Sequence, residues 1–207
     1  SRPDKCSCGS TKFLVLPKDF FSLERVQMSV ETKERPILFR APMVRALLDG
    51  RKTQTRRILK PQPPSSAPKK IIPHSLDGGR FGFFDDRGIT YKCRYGQPRD
   101  RLWVREKWGW PSGWKWKPSI HMPRWASRIT LEITGIRVER LNDISEEDAI
   151  AEGIEMLSEC GFWKHYQDSK EGFLSAVDSY KSLWSTIHAA DGPNGWSTNP
   201  WVWVVEF

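Results

Sequence analysis

Cysteine is scarce in this 207-residue chain, where Cys6, Cys8, Cys93 and Cys160 are the only four. Their uneven spacing excludes the disulfide framework that staples small secreted domains and favours a reducing compartment. Cys6-Ser7-Cys8-Gly9 offers half of a zinc site, but Cys93 and Cys160 stand alone, so no second paired spacing completes a set of thiolates. Free thiols and no metal are the expectation. Long apolar runs are missing too: nothing approaches the roughly 20 residues that a membrane-spanning helix needs, and no basic-then-apolar leader opens the sequence at Ser1. These absences lead to the expectation of a cytoplasmic protein with no membrane partner. There is also no Walker-type phosphate loop, no dinucleotide glycine fingerprint, no pair of metal carboxylates and no His-x-x-x-His pair. Function without a cofactor is the simple expectation.

Against these absences stand 11 tryptophans, 10 phenylalanines and a net charge of +8. Large aromatic side chains raise the area each apolar position can bury, so an apolar share of 38% still supports a folded core. The length suits one domain with tails or insertions rather than two. The charge is segregated. Residues 35–60 hold eight Lys/Arg against Asp49 alone, residues 87–128 hold eleven against Asp100 and Glu106, and residues 129–207 reverse the balance with five basic and fourteen acidic. Such a split creates a positive face that attracts a phosphate backbone. Six tryptophans, Trp103, Trp108, Trp110, Trp114, Trp116 and Trp125, fall inside the second basic stretch. Cationic side chains hold phosphates while indoles stack on bases, which favours a nucleic-acid partner over a merely solvated basic surface.

The apolar pattern predicts a single domain over residues 35–207, preceded by an extension over residues 1–34. Residues 36–39 read as a first strand. Pro42 suits the first turn of a helix that ends near Asp49, with Gly50 as its stop and Met43, Ala46 and Leu47 on its buried face. Residues 51–58 form a polar turn running into an alternating stretch that sets Thr53, Thr55 and Arg57 on one side. Residues 61–98 and 109–128 read as insertions, the first with a proline-rich loop between Pro61 and Pro73 and a small hairpin near residues 81–88, the second a loop of Trp, Pro and Lys. Residues 100–106 form a strand with Leu102 and Val104 inward and Arg101, Trp103 and Arg105 outward. Strands follow at 129–134 and 136–141, with Gly135 as a bend. Ser145 and Asp148 have capping-box spacing for a short helix over 146–152. Phe173, Val177, Tyr180, Trp184 and Ile187 recur at helical spacing over 171–188 as a core stripe. Residues 201–207 close the domain as a strand returning beside the first.

The run Leu48-Asp49-Gly50-Arg51-Lys52-Thr53-Gln54-Thr55-Arg56-Arg57 resembles the ASCH motif, a glycine-ended helix followed by Gly-x-Lys-x-x-(Thr or acidic)-x-Arg, here Gly50, Lys52, Thr55 and Arg57. The likeness extends more loosely through Asp100-x-Leu102-x-Val104, residues 129–134, residues 141–153 and the last strand. The insertions resemble those of phage and prophage proteins with ASCH-like cores. The resemblance implies an α+β fold, a small PUA-like β-barrel of about five to seven strands flanked by two or three helices. Small bacterial amidohydrolases of the same superfamily, which deacetylate N4-acetylcytidine, use a Lys, a Thr three residues later and a Glu after the second helix. Lys52, Thr55 and Glu152 match those positions.

In the catalytic arrangement this implies, Thr55 attacks the amide carbonyl, Lys52 takes its proton and Glu152 positions or reprotonates the groups. Lys52 must then be partly neutral near pH 7; burial and Arg51, Arg56 or Arg57 lower its pKa, whereas Glu152 raises it. Glu152 at a helix end opposes the dipole unless a cation such as Lys52 pairs with it. Around this centre, Arg51, Arg56, Arg57, Arg105, Trp108, His121, Arg124, Trp125 and Arg128 are the expected nucleic-acid contacts. Arg99-Asp100 departs from the Gly-Asp that ASCH-like proteins often carry before this strand, so the turn there is expected to differ. The leading expectation is a module that binds RNA, single-stranded DNA or a modified nucleoside in a cleft beside Lys52. The alternatives are a metal-independent amidohydrolase acting on N4-acylated cytidine, a ribonuclease, and a phage or host protein-interaction module using exposed Trp. DNA, RNA and free nucleoside stay open at this point, as does the oligomeric state.

Overall fold

Strand β1, Glu34–Leu38, leads through Arg40 into helix α1, Ala41–Leu48. Pro42 sits in the first turn, where a missing N–H leaves no bond unmade, and Met43, Val44 and Ala46 face the core. Gly50 adopts φ +70 and stops the helix. The amides of Arg51 and Lys52 both donate to the Ala46 carbonyl, at 2.9 and 3.0 Å, before strand β2, Gln54–Ile58, begins. The structure is a computed structural model describing residues 32–63, 71–76, 80–85, 87–109, 115–157, 161–167, 172–189 and 192–207. Most of the amino-terminal extension with Cys6 and Cys8, together with Pro64, Pro68, Trp110, Trp114 and Cys160, lies outside the described residues. Thr32–Phe207 forms one compact unit.

The first expected insertion carries a sheet of its own, β3 (Ile72–Leu76), β4 (Arg80–Phe84) and β5 (Thr90–Tyr91), in the order β3-β4-β5. Pro73 belongs to β3 rather than to a loop, a correction to the proline-rich reading. It is tolerated because β3 is an edge strand, where no neighbour asks for the missing N–H. Strand β6, Arg101–Arg105, then runs parallel to β1 and buries Leu102 and Val104, as its alternation implies. The Arg99-Asp100 turn keeps a backbone suited to glycine: Arg99 has φ +77. An L side chain is strained there, so Arg99→Gly is expected to raise stability by about 1 kcal/mol, read as a higher urea midpoint. Asp100 anchors the turn by accepting from Lys33 N (3.0 Å), Arg35 Nη1 (2.8 Å) and Gln97 N (3.2 Å).

Strand β7, Thr130–Glu132, pairs with β6, and the chain crosses at Ile133 and Thr134 into a second sheet through β8, Gly135–Arg140. Ser145 caps helix α2, Glu146–Ala151, by accepting from Asp148 N at 3.1 Å. Strands β9 (Trp163–Lys164) and β10 (Gly172–Phe173) pair with each other. Helix α3, Ala176–Ile187, starts later than its apolar stripe suggests, because Phe173 is held in β10 and Ser175 supplies the cap. Glu146 ties the two helices by accepting from Ser175 Oγ and Ala176 N, both at 2.7 Å.

The closing strand β11, Trp201–Glu206, does not return beside β1. It lies between β2 and β8 in the order β2-β11-β8, while β1 pairs with β6. Its central place explains the unbroken Trp-Val-Trp-Val-Val run, all of it buried, since a strand covered on both faces has no polar side to alternate with. The fold is thus mixed α+β, with helices packed on small sheets. Cys93, against the core, has its thiol pushed up to about 11 by burial. No helix among the described residues is long and apolar enough to cross a membrane.

Candidate functional site

The turn after α1 and the end of α2 meet backbone to backbone. Lys52 and Glu152 form an isolated antiparallel bridge, and Thr53 N donates to Ala151 O at 2.9 Å. The bridge brings the two side chains together in the interior, with exposures of only 2% and 4%. Lys52 Nζ donates to Glu152 Oε2 and to the Glu152 carbonyl, both at 2.8 Å, and lies 5.5 Å from the centre of the Phe39 ring. Burial pulls the Lys52 ammonium below the usual lysine range, and Glu152 only partly offsets this.

Alternation along β2 then sorts its side chains. Gln54 and Arg56 turn to one side, where both reach Asp148. Arg56 has no exposed side-chain surface; it donates to Glu139 Oε1 through Nε (2.9 Å) and Nη2 (2.5 Å), to Asp148 Oδ2 (2.7 Å) and to Glu152 Oε1 (3.3 Å). Arg137 joins from β8 with bonds to Asp148 (2.6 Å), Glu139 (3.1 Å) and Glu206. Burial alone would raise the Asp148 carboxyl, but Arg137, Arg56 and Gln54 together hold it below its ordinary value of 3.8. A lowered carboxylate contributes stability above pH 3.8 that is lost as pH falls through the folded-state value. Urea midpoints are therefore expected to fall on acidification across that window, and less steeply in Asp148→Asn.

Thr55 and Arg57 turn the other way, into a cavity of about 650 Å³. Lys52 lies on its floor, and its walls are aromatic: Phe39, Tyr95, Tyr166, Tyr180 and Trp184. No hydrogen bond of the Thr55 hydroxyl is made among the described residues, although Thr55 is 4% exposed. Burial, and then the charge of Glu152, push the Tyr180 hydroxyl well above the usual phenol range, so it stays a proton donor. Arg40, Arg57, Lys60 and Arg94 also line the cavity. None of these four pairs with a carboxylate among the described residues; Arg57 donates to Leu38 O at 2.6 Å and its Nε is buried without a partner. His188 closes α3 beside them, 4.6 Å from Trp184 ring to ring, and burial followed by Arg57, Lys60 and Arg40 lowers its pKa.

Of the residues singled out from sequence, Lys52, Thr55, Glu152, Arg56 and Arg57 come together here. Arg51 points outward, to Asp49 (2.9 Å) and to the carbonyls of Gly153 and Ile154. The others gather elsewhere. Trp108 meets Trp125 edge-on at 5.7 Å, Arg105 bonds Met122 O and lies over Trp103, and His121 is exposed in a 3-10 turn. Arg124 and Arg128 are engaged by Glu34 and Glu106, each through two bonds of 2.7 and 3.1 Å. Among the described residues of the second expected insertion, Ser119 and Ile120 reach the cavity. Sequence reasoning missed Arg40, Lys60, Arg94, Tyr95 and His188. The available signal was the spacing Tyr180, Trp184, His188, one face of α3 that lines both core and cavity.

Among the described residues no three His, Cys, Asp or Glu side chains group so as to hold a metal ion. Compared with protein-family models, curated proteins and solved structures, the chain has no significant match.

Proposed function

We propose that the domain binds one nucleotide unit, from RNA, single-stranded DNA or a modified nucleoside, in the cavity above Lys52, on an ASCH-like barrel formed by the β1-β6-β7 and β2-β11-β8 sheets. The observation that carries this reading is the lining itself. Aromatic walls surround a space of about 650 Å³, and four cations without carboxylate partners among the described residues stand around it. A planar base is matched by the rings and an anionic backbone by the guanidinium and ammonium groups. Lys52 at the floor, held from behind by Glu152, offers a donor to a base edge.

Binding of short single-stranded oligonucleotides tests it. Arg57→Ala with Lys60→Ala is expected to weaken affinity by roughly ten-fold or more and to lower the salt slope by about one per lost phosphate contact. Arg124→Ala with Arg128→Ala is expected to change affinity far less, because Glu34 and Glu106 already occupy those guanidinium groups. Unchanged affinity in the first pair, or a larger loss in the second, moves the binding face to the tryptophan-rich loop.

A second reading rests on one specific observation: a buried lysine of lowered pKa shares the cavity with the Thr55 hydroxyl. That combination supports amide hydrolysis, with neutral Lys52 taking the Thr55 proton as the hydroxyl oxygen attacks an N4-acyl carbonyl of cytidine. Turnover of N4-acylated cytidines, lost in Lys52→Ala and Thr55→Val, marks an enzyme; binding without turnover marks a module.

A further inference from the structure

The cations of the cavity are not spread evenly. Arg57 donates to Leu38 O at 2.6 Å, which holds the end of β2 beside the segment entering Arg40, and Lys60 follows three residues after Arg57; all three line the cavity with His188, and each bears on its imidazole. Arg94 also lines the cavity, with its guanidinium 5.7 Å from the Tyr95 ring centre. At the His188 end, Arg57 keeps one buried Nε donor without a partner, although its Nη2 is spent on Leu38 O. A buried, unmatched N–H is unfavourable unless something accepts from it. Arg40 and Lys60 are exposed and lack carboxylate partners among the described residues. Mutual repulsion among three such groups favours an anion between them, and one singly charged diester oxygen pair leaves most of that charge unmatched.

We propose that this end of the cavity is a subsite for a phosphomonoester, so that the preferred ligand is a nucleoside monophosphate, free or at the phosphorylated end of a strand, rather than a nucleoside or an internal diester. The inference rests on the nucleotide-binding reading above and names the charge state and position of the phosphate. A terminal phosphate carries close to two negative charges and three acceptor oxygens, enough for Arg40, Arg57 and Lys60 at once. The base then packs against the aromatic wall of the same cavity. The negative end of α3 lies near His188 and opposes an anion there, so the three cations must outweigh it, and a protonated His188 adds to their side.

Calorimetric titration of the full chain with the four nucleoside 5′-monophosphates, their nucleosides and their 5′-methylphosphate diesters tests the proposal. Paired oligonucleotides with and without a 5′-phosphate form a second arm that separates free nucleotide from strand end. At least one monophosphate is expected to bind roughly ten-fold or more tighter than both its nucleoside and its diester. Lys60→Gln and Arg40→Gln, at exposed positions, are expected to close that gap by lowering monophosphate affinity toward that of the nucleoside. Equal affinity for nucleoside, diester and monophosphate overturns the subsite and leaves the nucleotide reading standing. Binding by none of the nucleosides, nucleotides or oligonucleotides overturns both. A gap that survives both glutamine variants also overturns the subsite, because the discrimination then arises elsewhere.

Discussion

Arg56→Ala is expected to destabilise the domain by about 3–5 kcal/mol, the range seen when one partner of a buried ion pair is removed. The guanidinium has no exposed side-chain surface and binds Glu139, Asp148 and Glu152 together. Without it, three carboxylates face one another with Arg137 and Lys52 as their remaining cations, and Glu152 loses the bond that fixes its second oxygen. Arg56→Lys is expected to recover little, since an ammonium cannot fork among three acceptors. Urea unfolding checks both variants. A loss below about 1 kcal/mol, the scale of an exposed pair, would mean that the network is wetter and weaker than its burial implies. Because the same residue holds Glu152 against Lys52, ligand affinity is expected to fall in any Arg56 variant that still folds.

Gly153→Ala is the second large effect, and it acts on the site through the backbone. Gly153 has φ +81, and a Cβ placed there falls 2.7 Å from Lys52 Cβ, 2.9 Å from Ala46 Cβ and 3.3 Å from Lys52 Cα. These atoms are main chain or its first substituents, so no side-chain rotation clears them. Left-handed backbone strain and overpacking each cost about 1–3 kcal/mol, and together they predict a loss on the order of 2–5 kcal/mol. The easiest relief is to push the Lys52 turn away from the end of α2, which lengthens the Nζ to Glu152 contact. Nucleotide affinity is therefore expected to fall along with the urea midpoint. A folded Gly153→Ala with parental affinity would show that the Lys52–Glu152 contact does not need this close approach.

The meeting of Lys52 with Glu152 is legible in the sequence because two local signals point at it. A glycine stop presents the lysine just after α1, and a carboxylate at the end of α2 needs a cation. The inward sides of β6 and the cap of α2 follow equally well from alternation and Ser145. The rest of the site depends on distant partners. Nothing near Arg124 or Arg128 in the chain marks Glu34 or Glu106 as their carboxylates, and Arg124 is 90 residues from Glu34. Charge counts along the sequence therefore weigh residues 35–60 and 87–128 alike, whereas the pairing of Arg124 and Arg128 with carboxylates sets them apart from Arg40, Arg57, Lys60 and Arg94 around the cavity. The α3 stripe records that Tyr180 and Trp184 are buried but not that one edge of that face opens onto a hollow. Likewise the apolar run in β11 shows burial without saying which strands flank it, and the expected return beside β1 fails for that reason.

The position of β11 bears on how the domain is made. Its neighbours β2 and β8 come earlier in the chain, and Gln62, just beyond β2, bonds the Trp201 carbonyl across 139 residues. Until β11 arrives, each of them shows a bare edge that invites pairing with another nascent molecule. Arg56 and Arg57 on one edge, with Arg137 and Arg140 on the other, set like charges along both. Of these, Arg56 and Arg57 line the cavity, so the guanidinium groups that serve the site also charge an edge that β11 covers.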